Sequence, residues 1–195
     1  MSKVIVIEHL TLDGVMQGPG RPDEDTRDGF RRGRANRSQD PAMQGVMGAY
    51  MSASWSLLAG RRTYEDFAVH WPKQAPNPMS EALDRVQKYV ASTTLAEPLA
   101  WQNSTLLKGD AADAVSHLKE ELQENLVVFG SGVLVRSLLT RNLIDTFVLL
   151  IYPLVLGSGR RLFPDSGSDL STFRLVDSAT TATGVIIAAY QPAGS

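Results

Sequence analysis

The stretch NLVVFGSGVLVRSLL, Asn125 to Leu139, decides how this chain is read. A short β-rich apolar run ends in Gly130-Ser131-Gly132, and apolar residues at helical spacing follow it, which predicts buried strand, tight turn and helix. Glycines allow close backbone approach, and the free N–H groups and dipole of a new helix favour an anion such as a phosphate. A plain glycine turn that packs a helix on a sheet accounts for the same residues. The dinucleotide fingerprint of the Rossmann fold is absent. Val135 stands where its third glycine would fall, and no acid follows until Asp145, which opens the next apolar run.

Ser56 to Ala59 repeats the pattern, with Gly60-Arg61-Arg62-Thr63 turning a strand into a helix that carries Tyr64, Phe67 and Ala68. Two guanidinium groups and a hydroxyl suit a phosphate, and arginines at the positive end of a helix dipole call for a compensating anion. A charged helix start on the surface is the alternative. Lys88 to Ala91 reads as a third strand, ending in the hydroxyls of Ser92, Thr93 and Thr94.

The run from Val4 to Leu12, closed by Asp13-Gly14, reads as a central strand. Its Glu8, His9 and Asp13 lie at or near a strand end, where α/β folds place chemistry. Asp13 is equally a turn aspartate that accepts backbone N–H bonds, and Glu8 with His9 a satisfied polar pair at the sheet edge.

Val15 to Gln39 shows no hydrophobic period and is expected to be a lid over a site, with Arg31, Arg32, Arg34 and Arg37 as a solvated face. Asp40 is the expected N-cap of a helix with Pro41 at its first position and a buried stripe of Met43, Val46, Met47, Tyr50 and Ser54 or Trp55. Beyond the prolines at 72, 76 and 78, a short helix is expected over Ser80 to Val86 and a strand within Leu99 to Leu107. Asp110 caps a helix that buries Ala111 or Ala112, Val115, Leu118 and Leu122 and turns Glu120, Glu121 and Glu124 outward, with His117 on the surface. Asp145 to Leu156 is the longest apolar run, interrupted at Pro153. Phe173 to Ser178 and Gly184 to Tyr190 form an antiparallel hairpin. About eight strands and four helices result.

At 195 residues, 43% hydrophobic and 21% charged, the chain suits one globular domain spanning 1–195. A formal charge of −2 argues against a nucleic-acid binder, and the absence of cysteine excludes disulfides and thiolate metal sites. His9, His70 and His117 have no metal-ligand spacing. No apolar run approaches the ~20 residues of a membrane span, and Val4 to Ile7 leads directly into Glu8, unlike a signal peptide. A soluble, cytoplasmic protein is expected.

Gly60 to Glu65, the strand end at Ser92 to Thr94, Phe129 to Gly132, Pro153 to Phe163 (PLVLGSGRRLF) and Thr11 to Gly14 together resemble the dihydrofolate reductase-like superfamily. Within it the chain is most similar to the reductase domain at the C-terminus of the bifunctional riboflavin-biosynthesis deaminase-reductase, as a stand-alone domain. The resemblance implies a three-layer α/β fold, a mixed and mainly parallel eight-stranded sheet with flanking helices, that binds NADPH across the strand ends. It also implies that Arg61, Arg62 and Thr63 meet the cofactor phosphates, Gly60 opening their turn. Ser92, Thr93 and Thr94 would line the 2'-phosphate, and Gly130, Ser131, Gly132, Val133 and Leu134 would cradle the pyrophosphate. Glu8 and His9 would lie beside the nicotinamide and Asp13 would face the substrate as polariser or proton relay. Dihydrofolate reductases carry an acid in the helix before the Gly-Arg strand; Met43 to Ser54 has none, which argues against folate reduction. The deaminase half is absent.

The reading is an NADPH-dependent reductase acting on a carbonyl or imine of a small heterocyclic or ribosylated substrate, expected as a homodimer without nucleic-acid or membrane partners. Its rival is a non-catalytic NADPH-binding sensor. A hydrolase is disfavoured because Gly-x-Ser-x-Gly is missing.

Overall fold

The computed structural model describes residues 2–33, 41–163 and 171–193. Its eight strands form one mixed sheet in the order β4-β3-β2-β5-β1-β6-β8-β7. The residues divide into two compact units, Met1–Val6 with Ala53–Ile144, and Ile7–Ser52 with Asp145–Ser195, so that β1 (Val4–Thr11) contributes to both.

In the first unit β2 (Trp55–Gly60), β3 (Lys88–Ala91), β4 (Ser104–Leu107) and β5 (Asn125–Phe129) are linked by parallel pairings. Leu57, Leu58, Leu126, Val127 and Val128 are wholly buried, because helices cover a parallel strand and continuous apolar runs result. Of its helices, α4 (Ala111–Glu121) buries Ala112, Val115 and Leu118, and α5 (Gly132–Thr140) buries Leu134, Val135 and Leu138. Asp110 caps α4 by accepting from Ala112 N and Asp113 N, and His117 is exposed, both as expected. Around α2 (Arg61–His70), Phe67 packs against Trp71 and Phe129.

Several boundaries differ from expectation for local reasons. Trp55 belongs to β2 and packs edge-on to Phe129, so it is not part of the helical stripe of α1. The helix α3 (Pro78–Arg85) starts earlier than expected, because Asn77 and Ser80 form a reciprocal capping box with Pro78 at the first position. Glu124 is not simply outward: its carboxylate accepts from Ser56 Oγ and from Ser54 Oγ at 3.3 Å. Leu122 is half-buried.

In the second unit β6 (Thr146–Tyr152) pairs antiparallel with β8 (Ile186–Pro192), which pairs antiparallel with β7 (Phe173–Thr180), the expected hairpin. β6 stops at Pro153, which has no N–H to donate to a ladder. α1 (Pro41–Tyr50) buries Met43 and half-buries Val46, Met47 and Tyr50; its expected cap Asp40 lies outside the described residues, as do Arg34, Arg37 and the end of the expected lid.

Candidate functional site

The first unit carries a cradle of backbone donors. Parallel registry pairs Gly60 with Ala91 and runs Trp55 to Leu58 beside Asn125 to Val128. The turns after β3, β2 and β5 therefore leave neighbouring strand ends on one edge. At Gly130 and Ser131 the backbone is left-handed, with φ of 56° and 57°, before α5 begins. That conformation costs a serine about 1–2 kcal/mol, offset by hydrogen bonds. Ser131 Oγ accepts from Gly60 N at 3.0 Å and donates to Phe129 O at 3.1 Å, while Ser131 N donates to Thr63 Oγ1 at 3.0 Å. A Cβ on Gly130 would sit 3.1 Å from Thr63 Oγ1, so this turn has little space for a side chain.

These bonds tie together the N-termini of two helices, α2 and α5, and neither has an acid in its first turn. The opening amides of a helix have no intrahelical partner and its dipole is positive there. Arg61 and Arg62 add charge at the start of α2. Arg61 is partly exposed and only 3.8 Å from Glu65 in a loose i,i+4 pair, which leaves its guanidinium able to turn to a ligand. Past β3, Ser92 Oγ accepts from Thr94 N at 3.1 Å and Leu95 N at 3.0 Å, fixing the turn, and Thr93 and Thr94 are exposed. Gly132 and Val133 lie at the open start of α5 and Leu134 anchors it in the core. The residues fit a doubly charged phosphate group.

The second unit holds the three polar residues of β1 and its turn. Side chains alternate along a strand, so Glu8 shares a face with Leu10 while His9 shares the other with Ile7 and Thr11. They are not a side-chain pair, and β1 is interior to the sheet. His9 Nδ1 lies 2.8 Å from Tyr152 Oη. Glu8 is 2% exposed, and its Oε1 has no hydrogen-bond partner among the described residues. Burial, with added repulsion from Glu24, pushes its carboxyl well above the ordinary range and so favours the protonated form.

Asp13 is the opposite case. Its carboxylate accepts from Thr11 Oγ1 at 2.6 Å, Gly157 N at 2.8 Å and Leu156 N at 3.2 Å, and these bonds, led by Thr11, hold it down to about 2. An ionised group carries no proton to relay at neutral pH. What Asp13 does offer is a fixed negative charge and a tie to the turn after β6.

The described part of the expected lid, residues 15–33, is anchored by polar bonds. Gln17 is 3% exposed, donates to Asp25 O and Arg27 O, and accepts from Arg160 N at 2.9 Å. Arg160 reaches Asp28 at 2.7 Å, and Arg32 donates to Leu156 O, so Arg32 is more than a solvated charge. Arg31 is exposed.

Lys88 was legible only as a strand start, yet it is 1% exposed. Its Nζ donates to Val86 O at 2.9 Å, Gln102 O at 3.1 Å and Asp84 O at 3.4 Å, 4.4 Å from the Trp101 ring centroid. Burial lowers its pKa to about 8. Among the described residues no group of three or more His, Asp or Glu could hold a metal, and no helix is long and apolar enough to cross a membrane.

Comparison with known proteins agrees with this architecture. The family model of the RibD C-terminal domain matches residues 2–187. An uncharacterized Bacillus subtilis (strain 168) protein, YyaP, is 26% identical over 171 residues, covering 85% of this chain and 89% of its own. A putative riboflavin biosynthesis protein from Shewanella sp. PV-4 superimposes with a TM-score of 0.68 at 22% identity, covering 98% of this chain and 99% of that one. A pyrimidine reductase-like protein from Corynebacterium diphtheriae gives 0.67 at 10% identity, over 100% and 93%. At these identities the two structures speak to the fold.

Proposed function

Because this chain belongs to the RibD C-terminal domain family, we propose that it is an NADPH-dependent reductase delivering hydride to the carbonyl or imine carbon of a small heterocyclic or ribosylated substrate. The observation that carries the reading is the cradle: two acid-free helix starts cross-linked through Gly60, Thr63 and Ser131, with Arg61 and Arg62 beside them. NADPH, when bound, supplies the hydride; the protein's part is binding and orientation.

In this reading Gly130 to Leu134 hold the pyrophosphate on backbone amides. Arg61, Arg62 and Thr63, with Ser92, Thr93 and Thr94, hold the remaining phosphate charge through charge-assisted bonds. Glu8 and His9 belong to the nicotinamide end, and Asp13 faces the substrate as a fixed charge. The exposed apolar residues Leu175, Val176 and Ile186 of the β7–β8 hairpin, at a sheet edge, support a homodimer. Light scattering that gives a monomer mass at micromolar concentration would remove that part.

Titration calorimetry tests the reading directly. NADPH should bind more tightly than NADH, and the preference should shrink as salt rises, because its donors are partly exposed. A protein that binds neither nucleotide is not this enzyme.

A further inference from the structure

Reduction of a C=N or C=O bond takes up hydride at carbon and a proton at the heteroatom, so a reductase of this kind needs a group that holds a proton at neutral pH. Asp13 is ionised, and its carboxylate is committed to Thr11, Leu156 and Gly157. His9 leaves the opposite face of β1 toward Tyr152. Glu8 remains: a buried carboxyl in the interior of the sheet, with one oxygen unpartnered and the acidic Glu24 as its charged neighbour. Buried polar atoms are normally paired, and a catalytic role is one of the reasons for an exception.

We propose that Glu8 is the proton donor of the reduction, its carboxyl touching the heteroatom of the bond being reduced. This rests on the reductase reading. The substrate carbon gains hydrogen with its electron pair from NADPH, and the π pair moves to the heteroatom. The O–H bond of Glu8 then breaks as an N–H or O–H bond forms there. Substrate is reduced and the nicotinamide oxidised; Glu8, left as a carboxylate, regains a proton from water after product leaves. The step creates a cationic nicotinamide and an anionic Glu8 together, and each charge stabilises the other in a site of low dielectric.

That pairing is measurable without a substrate. The oxidised cofactor should expel the Glu8 proton on binding, and the reduced one should leave it in place. Titration calorimetry at pH 7 in buffers of different protonation enthalpy should show wild type releasing about one more proton with NADP+ than with NADPH. In Glu8→Gln the two counts should be equal. The nicotinamide-free probe 2',5'-ADP should bind wild type and variant alike. Infrared spectra of wild type give a reading that does not depend on the variant's folding: the protonated-carboxyl band should vanish with NADP+ and persist with NADPH.

Equal proton counts in wild type, a difference that survives in Glu8→Gln, or a band unmoved by NADP+ overturns the assignment while leaving the reductase reading standing. Failure of both 2',5'-ADP and NADPH to bind overturns the reductase reading and this inference with it.

Discussion

Lys88 in the first unit and Glu8 in the second are both ionisable and almost wholly buried, yet the fold treats them in opposite ways. Lys88 has its ammonium on the carbonyls of Asp84, Val86 and Gln102 and lies over Trp101. Glu8 has an oxygen with no partner among the described residues. A buried group whose bonds are all made belongs to the scaffold. One left short is destabilising by itself, and functional sites are where folds tolerate such a departure.

Breaking the satisfied member should have the larger effect on stability. Lys88→Met leaves the carbonyls of Val86 and Gln102 without their cation. It should cost about 2–4 kcal/mol, read as a lower midpoint in urea unfolding. The pH dependence has a definite sign. Lys88 has a folded pKa of about 8 against an ordinary lysine value of 10.5, so between those values the unfolded chain binds more protons and wild-type stability rises with pH. Lys88→Met lacks that rise, and its deficit should widen over the window.

Removing the unsatisfied member should do the reverse. Glu8→Met discards a buried, unpaired oxygen at nearly constant volume and should raise stability by about 1–3 kcal/mol. The folded pKa of Glu8 lies above the ordinary glutamate value of 4.5, so as pH rises past 4.5 the folded state binds more protons and wild type loses stability. The advantage of Glu8→Met should therefore grow with pH. A loss of stability at neutral pH would mean that Glu8 is structurally satisfied after all, and the contrast with Lys88 would fail.

Asp13 sharpens the comparison within a single unit. Five residues beyond Glu8, its carboxyl is held down by hydrogen bonds where burial pushes that of Glu8 up. Asp13→Ala should have the smallest effect of the three, a lower urea midpoint, since Leu156 N and Gly157 N can turn to water beside this half-buried residue. The contribution of Asp13 is present above the ordinary aspartate value of 3.8 and is lost as pH falls from there to about 2. Acid unfolding of wild type and variant should converge across that interval.

The sequence made the phosphate cradle legible and left these charge states hidden, for a physical reason. Gly60-Arg61-Arg62-Thr63 and Gly130-Ser131-Gly132 are local patterns: each turn sits between its own strand and helix, so period and glycine placement reveal it. The bonds that lock the two turns, from Gly60 to Ser131 and from Ser131 to Thr63, span 71 and 68 positions and need the parallel registry of β2 with β5. Lys88 reads as an ordinary charged strand start until Trp101 and Gln102 close over it. Glu8 and His9 are adjacent in sequence, and strand alternation alone separates them by face. Asn77 to Ser80 shows the same limit on a smaller scale: proline content suggested a connection, where a capping box starts a helix.

The most direct test of the cradle is the affinity of NADPH and NADH for wild type, Arg61→Ala and Arg62→Ala. A hydrogen bond to a charged group contributes about 1.5–3 kcal/mol, so loss of the arginine that meets the 2'-phosphate should weaken NADPH roughly 10- to 100-fold and leave NADH nearly unchanged. Unaltered NADPH affinity in both variants would contradict the account.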